Sequence, residues 1–337
     1  MKQVVLKERE TLIVEEVEDA HILRDNDVLI EVKAVTICGS DISYFKADKL
    51  PHDLQYPLVL GHEVAGIVKA VGAGVKNIHV HDRVAIEPGS FCGHCRYCVS
   101  GQYNFCESLK FMASKGVDGA LKQMIVWPEK CVYKLPDTMT YEEGALLEPL
   151  SVAYSAIEKA AFTSTSTVVV LGAGSIGMLI GKLMQVLYPH TCVYLVDQYE
   201  NKVEMGMEIG LGREQFLIGN SYDLKNQNLF THIIDTTGNH ALAQKFLHHS
   251  IQGASLICIG VSDKMLDLTF KEIVYQGLHI IGSYRYANTY PKLLELYREQ
   301  RLDIRNIITK SFMYNEAQQA FDCAMDTEHN SKVVIRF

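Results

Sequence analysis

Cys92, Cys95, Cys98 and Cys106 form a C-x2-C-x2-C-x7-C run, the densest group of potential metal ligands in the chain. Thiolates are soft anionic ligands, and four of them converging from so short a loop suit a closed tetrahedral zinc site. Gly93 and Gly101 free the backbone to fold around such a centre. Two disulfides would need an oxidising compartment, and an iron–sulfur cluster would use the same four thiolates. With every position filled by protein, a zinc ion there holds a loop in shape and does no chemistry.

A second set is more widely spread. Cys38 lies in ICGSD, His62 and Glu63 in GHEVAG, and Glu148 in LEPLS. Singly, each has an ordinary explanation. Free cysteines are mostly small core residues, a lone histidine is commonly a hydrogen-bonded loop residue, and a glutamate favours a helix N-terminus. Together, a thiolate, an imidazole and carboxylates can hold zinc while leaving one position open to a substrate, as catalytic sites do.

The third motif is Gly172-Ala173-Gly174-Ser175-Ile176-Gly177, a G-x-G-x-x-G between an apolar strand and an amphipathic helix. The first glycine allows the tight turn, the second lets backbone approach a pyrophosphate, and the third lets helix and strand pack closely. The helix N-terminus offers free N–H groups and a favourable dipole to phosphates. Asp197 closes the next strand about twenty residues on, where an acid accepts from an adenosine ribose hydroxyl and repels a 2′-phosphate. NAD is therefore preferred over NADP. The plain alternative is a helix-capping aspartate beside a packing turn.

These motifs need two different frames. Up to about residue 140 the chain reads as β-rich and irregular: residues 27–35 (DVLIEVKAV) alternate apolar and polar, and glycine and proline punctuate the rest. That half is expected to form an antiparallel β domain with functional loops. From Glu148 onward, short apolar strands alternate with helices. The expected order is strand 167–171, helix 175–187, strand 192–196, helix 201–209, strand 232–234, helix 241–249 and strand 255–259. In helix 175–187, Ile176, Ile180, Leu183 and Leu187 fall at helical spacing. Such alternation builds a parallel, doubly wound sheet, so the fold class is α/β. After Gly282 one helix, 290–300, and a terminal strand, 332–337, are expected to return to the first domain.

GHEVAG, the cysteine lobe, DRVAIEPG, EEGALLEPLS, the glycine turn and RYANTYP (285–291) form a specific set. On these motifs the chain resembles the zinc-containing medium-chain dehydrogenases from its N-terminus to its last strand. Alcohol dehydrogenases of this family tend to carry cysteine where Glu148 stands. Glutamate there, with the late RY-x-NT-x-P segment, looks most like sorbitol dehydrogenases and their polyol-oxidising relatives. The resemblance implies a GroES-like catalytic domain at 1–147 and 283–337, with a structural-zinc lobe at 90–107, and a Rossmann-type domain at 148–282. It implies two zinc ions per chain and NAD. Cys38, His62 and Glu63 would ligate the catalytic zinc, with Glu148 a fourth ligand directly or through water. Glu63 could exchange with water. Some sorbitol dehydrogenases lack the four cysteines, and His81 replaces a glycine common before DRV, here a loop variation.

Hydride leaves a carbinol carbon readily only when its oxygen carries negative charge, and zinc lowers the pKa of an oxygen it holds. Ser40 is the candidate to pass the hydroxyl proton toward solvent. Its alternative is an N-cap, shared with Asp41, on a short helix 42–46. By resemblance Tyr44, Glu148, Arg285 and Tyr286 contact polyol hydroxyls, while Ile176, Lys202, Ile259, Val261 and Arg285 lie near NAD with Gly172, Gly174, Gly177 and Asp197. The bland readings are packing aromatics for Tyr44 and Tyr286 and an exposed helix charge for Lys202.

The expected function is NAD-linked oxidation of a polyol of the sorbitol or xylitol kind to a ketose. Polyol-phosphate, threonine and simple secondary alcohol dehydrogenases are the rivals within the class, and a catalytically silent NAD-binding protein is the rival outside it. A phosphate substrate needs further cations in the cleft, where only Arg285 is evident. A net charge of −8 over 337 residues offers no general attraction to nucleic acid or anionic membrane. The apolar stretch 167–187 is interrupted by four glycines and a lysine and reads as strand-turn-helix, not as a span. MKQVVLKERE has no apolar signal region, so cytoplasmic residence is expected. The resemblance implies a homo-oligomer, a dimer or tetramer, in which strands near the end of the dinucleotide domain pair across subunits.

Overall fold

Alternating apolar residues make Asp27–Thr36 a strand in which Val28, Ile30, Val32 and Ala34 are fully buried, as one core-facing side of a sheet requires. In the computed structural model, which describes residues 1–22, 24–51, 54–219, 230–299 and 301–337, this strand is the centre of a seven-stranded sheet. Its order runs Ile308–Met313, Lys332–Arg336, Asp27–Thr36, Glu63–Val71, Arg83–Ile86 and Val132–Lys134, with Met124–Pro128 also paired to Asp27–Thr36. All pairings are antiparallel except that between Ile308–Met313 and Lys332–Arg336. The register sets Thr36 opposite Glu63 on one side and opposite Val334 on the other. This sheet belongs to a unit made of Met1–Glu148, Tyr290–Arg298 and Ile308–Phe337.

The second unit comprises Pro149–Thr289 and Glu299–Ile307. It therefore takes in residues 283–289 and 299–307, which the sequence placed with the first domain. Its sheet is six-stranded and parallel, in the order Phe216–Ile218, Cys192–Asp197, Thr167–Leu171, Phe230–Asp235, Ser250–Cys258, His279–Gly282. By chain position that is third, second, first, fourth, fifth, sixth, the Rossmann order, with its switch point between Thr167–Leu171 and Phe230–Asp235. Val168, Val169, Val170 and Leu171 are all fully buried, because helices cover both faces of such a sheet.

The structure corrects the reading in several places. Among the described residues after Gly282 there are two α-helices, Tyr290–Arg298 and Ala317–Met325, and two strands, Ile308–Met313 and Lys332–Arg336. Ala317–Met325 (AQQAFDCAM) buries only Ala317, Ala320 and Phe321, so its apolar stripe is thin and alanine-based and gives little periodic signal. The helix over 290–300 ends at Arg298, and residue 300 lies outside the described residues. Phe216–Ile218, Phe270–Gln276 and His279–Gly282 were not foreseen either. Phe270–Gln276 buries none of its residues and His279–Gly282 is an exposed edge, so neither carries the half-buried pattern that identifies an element. No described helix is long and apolar enough to cross a membrane.

Candidate active site

Two residues past the end of Asp27–Thr36, Cys38 sits immediately before the helix Gly39–Phe45. Asp41 lies in the first turn of that helix and is buried. Its carboxylate accepts from the backbone N–H of Cys38 and from that of Gly61, both at 3.0 Å. One carboxylate thus ties together the two loops that carry Cys38 and His62. Gly61, with φ +89°, supplies the left-handed turn before His62 that a residue with Cβ takes only at a cost. Glu63 then opens its strand. The ligand atoms of Cys38, His62 and Glu63 all lie within 4.8 Å of one another.

Asp41 Oδ1 stands 3.6 Å from His62 Nδ1, the carboxylate-behind-imidazole arrangement that orients metal-binding histidines. Burial opposes charge on His62, yet Asp41 and Cys38 push its pKa well up, and His62 with two backbone N–H groups holds Asp41 low despite burial. The pocket therefore concentrates negative charge and soft and borderline donors, a donor set that fits a divalent zinc ion.

Glu63 is fully buried. Its Oε1 accepts from Lys332 Nζ at 2.7 Å and its Oε2 from the Thr36 hydroxyl. Lys332, 4% exposed, also donates to the Ile37 carbonyl at 3.0 Å. Burial would lower the Lys332 pKa, but Glu63, Cys38 and Glu148 hold it above its ordinary value. Sequence reasoning missed Lys332 and Asp41. The one signal for Lys332 was a lone lysine opening the apolar strand KVVIR. Glu148 is buried in the first turn of Leu147–Glu158, and its charge reaches Lys332, but it falls outside the three-residue group. Ser40 is exposed on the helix. The expected helix 42–46 starts earlier, with Cys38 at its N-cap and Asp41 closing the turn, so Ser40 is no cap.

The cysteine lobe gathers as its spacing suggests. The ligand atoms of Cys92, Cys95, Cys98 and Cys106 lie within 4.8 Å of one another. Cys92 Sγ accepts from the Cys95 N–H at 3.4 Å and Cys106 Sγ from the Cys92 N–H at 3.3 Å. No cysteine of the chain is in a disulfide. Four thiols with backbone N–H groups turned onto them suit a thiolate-bound cation.

At the glycine turn, Gly172 has φ +96°. A Cβ on Gly177 would meet the Gly172 carbonyl oxygen at 1.9 Å, whereas one on Gly174 would meet nothing. Packing thus demands glycine at 177 but not at 174, where the open space fits a dinucleotide's phosphates. Asp197 ends its strand and accepts from the Ala173 N–H at 2.9 Å and the Gln198 N–H at 2.8 Å. Ile176 and Ile259 are half-buried, and Val261 is exposed. Lys202 is buried, contrary to the exposed helix charge of its bland reading. In the first unit, Tyr44 packs against the core. In the second, Tyr286 is buried, and Arg285, at φ +51°, lays its guanidinium over the Tyr284 ring at 4.9 Å.

The alcohol dehydrogenase GroES-like domain family matches residues 24–137. Sorbitol dehydrogenase of Bacillus subtilis is 33% identical over 310 residues, covering 90% of this chain and 88% of the relative. L-idonate 5-dehydrogenase of Vitis vinifera is 32% identical over 308 residues, covering 88% and 84%. An Escherichia coli alcohol dehydrogenase solved with NADH superposes with TM-score 0.90 at 26% identity, covering 100% of this chain and 99% of its own.

Proposed function

The chain belongs to the zinc-type, NAD-dependent alcohol and polyol dehydrogenases with a GroES-like domain, and on that premise we propose that it oxidises a secondary hydroxyl of a sorbitol- or xylitol-like polyol to a ketose. The observation that carries this reading is the Cys38–His62–Glu63 cluster with Lys332 and Asp41 behind it. We assign the metal chemistry to the first unit and dinucleotide binding to the second.

Cys38, His62 and Glu63 would hold the catalytic zinc, with Glu148 a fourth ligand directly or through water, and Cys92, Cys95, Cys98 and Cys106 would hold a structural one. Bound at the first site, the metal supplies a Lewis acid that makes a hydroxyl more acidic. Asp41 fixes the His62 ring, and Lys332 and Thr36 anchor Glu63. Ser40, exposed beside Cys38, takes the substrate's hydroxyl proton toward water. Tyr44 and Glu148 in the first unit, and Arg285 and Tyr286 in the second, are the candidate contacts to the remaining hydroxyls. NAD, when bound, would supply the acceptor for the hydride of the carbinol C–H, leaving the carbon as a carbonyl. Gly172, Gly174 and Gly177 would receive the pyrophosphate and Asp197 the adenosine ribose, while Ile176, Lys202, Ile259, Val261 and Arg285 would flank the rest of the cofactor.

We further place the protein in the cytoplasm as a homo-oligomer. Among the described residues no strand pairs the outer side of the edge strand His279–Gly282, and Phe270, Val274 and Tyr275 on the preceding helix are 88%, 71% and 72% exposed. A second copy pairing along that edge would extend the sheet and cover them.

The test is NAD reduction, followed at the NADH absorbance, with sorbitol, xylitol, their phosphates, threonine and butanediol, together with metal analysis. Turnover of free polyols by protein holding two zinc ions supports the proposal. Turnover confined to phosphates, threonine or butanediol moves the specificity, and none at all with zinc and NAD bound removes the polyol reading.

A further inference from the structure

A phenyl ring stands against His62. The ring centroids of Phe111 and His62 are 5.6 Å apart, with the planes tilted by 50°, the spacing of a favourable aromatic pair. A histidine that ligates a metal must hold its ring in one setting, yet the last torsion of its side chain is broad and two-fold. Asp41 restrains one edge of the ring from 3.6 Å, a reach longer than an ordinary hydrogen bond. Phe111 supplies a second, steric restraint. Its ring is only half-buried, so filling the core does not account for its position.

The chain brings Phe111 to His62 by way of the cysteine lobe. Gly89–Ser90 and Lys110–Phe111 form a two-stranded antiparallel ribbon, with Gly89 opposite Phe111 and Ser90 opposite Lys110. All four cysteines lie in the excursion between these strands, so the ribbon is the neck of the lobe. A Cβ on Gly89 would meet the Phe111 ring at 3.5 Å, which places the ring across that neck. Strands of two residues are too short to hold together alone.

The sheet fixes one end of the neck. Glu87, 2% exposed, donates its N–H to the Cys131 carbonyl at 2.8 Å, and its own carbonyl accepts from Trp127 Nε1 at 2.9 Å. Its Oε2 accepts from Tyr133 at 2.9 Å and from Tyr103, inside the lobe, at 3.3 Å. The other end is closed by the lobe itself. The Tyr103 carbonyl accepts the Cys106 N–H at 3.0 Å, and its ring stacks at 4.2 Å on Phe91, next to Cys92.

We propose that Phe111 is a positioning residue for His62, and that a cation gathered by the four cysteines closes the neck and so holds that ring in place. The inference rests on the reading of Cys38, His62 and Glu63 as a metal site. Losing the lobe ion would then loosen the catalytic ion, since groups that orient a metal-binding histidine are worth ten- to a hundredfold in metal affinity.

Chelator-driven zinc release from the full-length two-zinc protein tests this, the catalytic phase being the one that Cys38→Ala removes. Phe111→Leu should speed that phase about tenfold and leave the lobe phase within twofold, whereas Phe111→Tyr, which keeps the ring, should match the unaltered protein. Cys98→Ser should speed the catalytic phase to the same extent, and its combination with Phe111→Leu should go no further than either alone. With cobalt in place of the catalytic zinc, both single variants should shift the visible bands in the same sense, because those bands report ligand geometry. Should Cys98→Ser disturb the fold, Phe111→Leu still decides the matter with every ligand in place. A catalytic phase unmoved by Phe111→Leu or by Cys98→Ser, or effects that multiply in the double variant, would overturn the proposal. If Cys38→Ala removes no zinc, the metal reading of the cluster falls and this inference falls with it. Release is read without substrate, so failure of the polyol assignment shows separately, in turnover.

Discussion

The four-cysteine lobe draws all its ligand atoms from one loop, Cys92 to Cys106, whereas the Cys38–His62–Glu63 cluster gathers two loops and a strand and is backed by Lys332 near the other end of the chain. In the lobe three of the four cysteines are only partly buried, and backbone N–H groups turn onto their sulfurs. In the other cluster Glu63 and Asp41 are buried; the sheet register brings Glu63 its partners, and the loops that carry Cys38 and Gly61 bring Asp41 its own. A local site folds itself around an ion, and a non-local one must be assembled by the domain before any ion arrives. The first therefore tolerates changes elsewhere in the unit, and the second does not.

The sharpest way to break this contrast is to remove a ligand from each cluster in turn. Cys38→Ala is expected to lose one of two zinc ions and about a thousandfold or more in kcat, the equivalent of several kcal/mol of transition-state stabilisation. Metal analysis with steady-state kinetics checks it. Cys98→Ser should also lose one zinc but retain most of kcat, and its thermal midpoint should fall by several degrees. Equal kinetic damage from both variants would erase the distinction.

Lys332→Met probes the non-local support. It strands the Glu63 carboxylate in the interior, a loss of about 3–5 kcal/mol by denaturant unfolding. A loss below about 1 kcal/mol would mean that Thr36 alone satisfies Glu63. Glu87 adds a pH signature. Its pKa is about 7 in the folded chain against an ordinary 4.5, so the native state binds the extra proton between these values and stability falls as pH rises through them. Glu87→Gln should flatten that slope, measured by unfolding at pH 5 and at pH 7.5.

The smallest effect lies outside both clusters. His81, at φ +74°, occupies left-handed backbone that disfavours a side chain with Cβ. His81→Gly should gain roughly 0.5–1 kcal/mol, the relief of strain less glycine's entropy in the unfolded chain, with kinetics unchanged. The loop variation seen at that position in the sequence thus has a conformational consequence.

Much of the molecule was legible because its signals are local. The spacing of Cys92, Cys95, Cys98 and Cys106, the glycine turn at 172–177 and the helix Ser175–Leu187 are each written in a short stretch, and each forms within its own unit: the four cysteines gather, and the turn leads directly into the helix. Cys38, His62 and Glu63 could be nominated as a set only because their residue types suit one ion. What no stretch of sequence states is who stands behind them. Asp41 reads as a helix cap, Glu87 as part of a loop and Lys332 as the polar start of an apolar strand. Only the antiparallel register, which sets Thr36 between Glu63 and Val334, brings Lys332 Nζ to Glu63. Only the turn before Cys106 brings Tyr103 to Glu87. The physical reason is the same in both cases. Ligand identity follows from side-chain chemistry and short spacing, whereas a buried charge finds its partner through strand pairing between segments far apart in the chain.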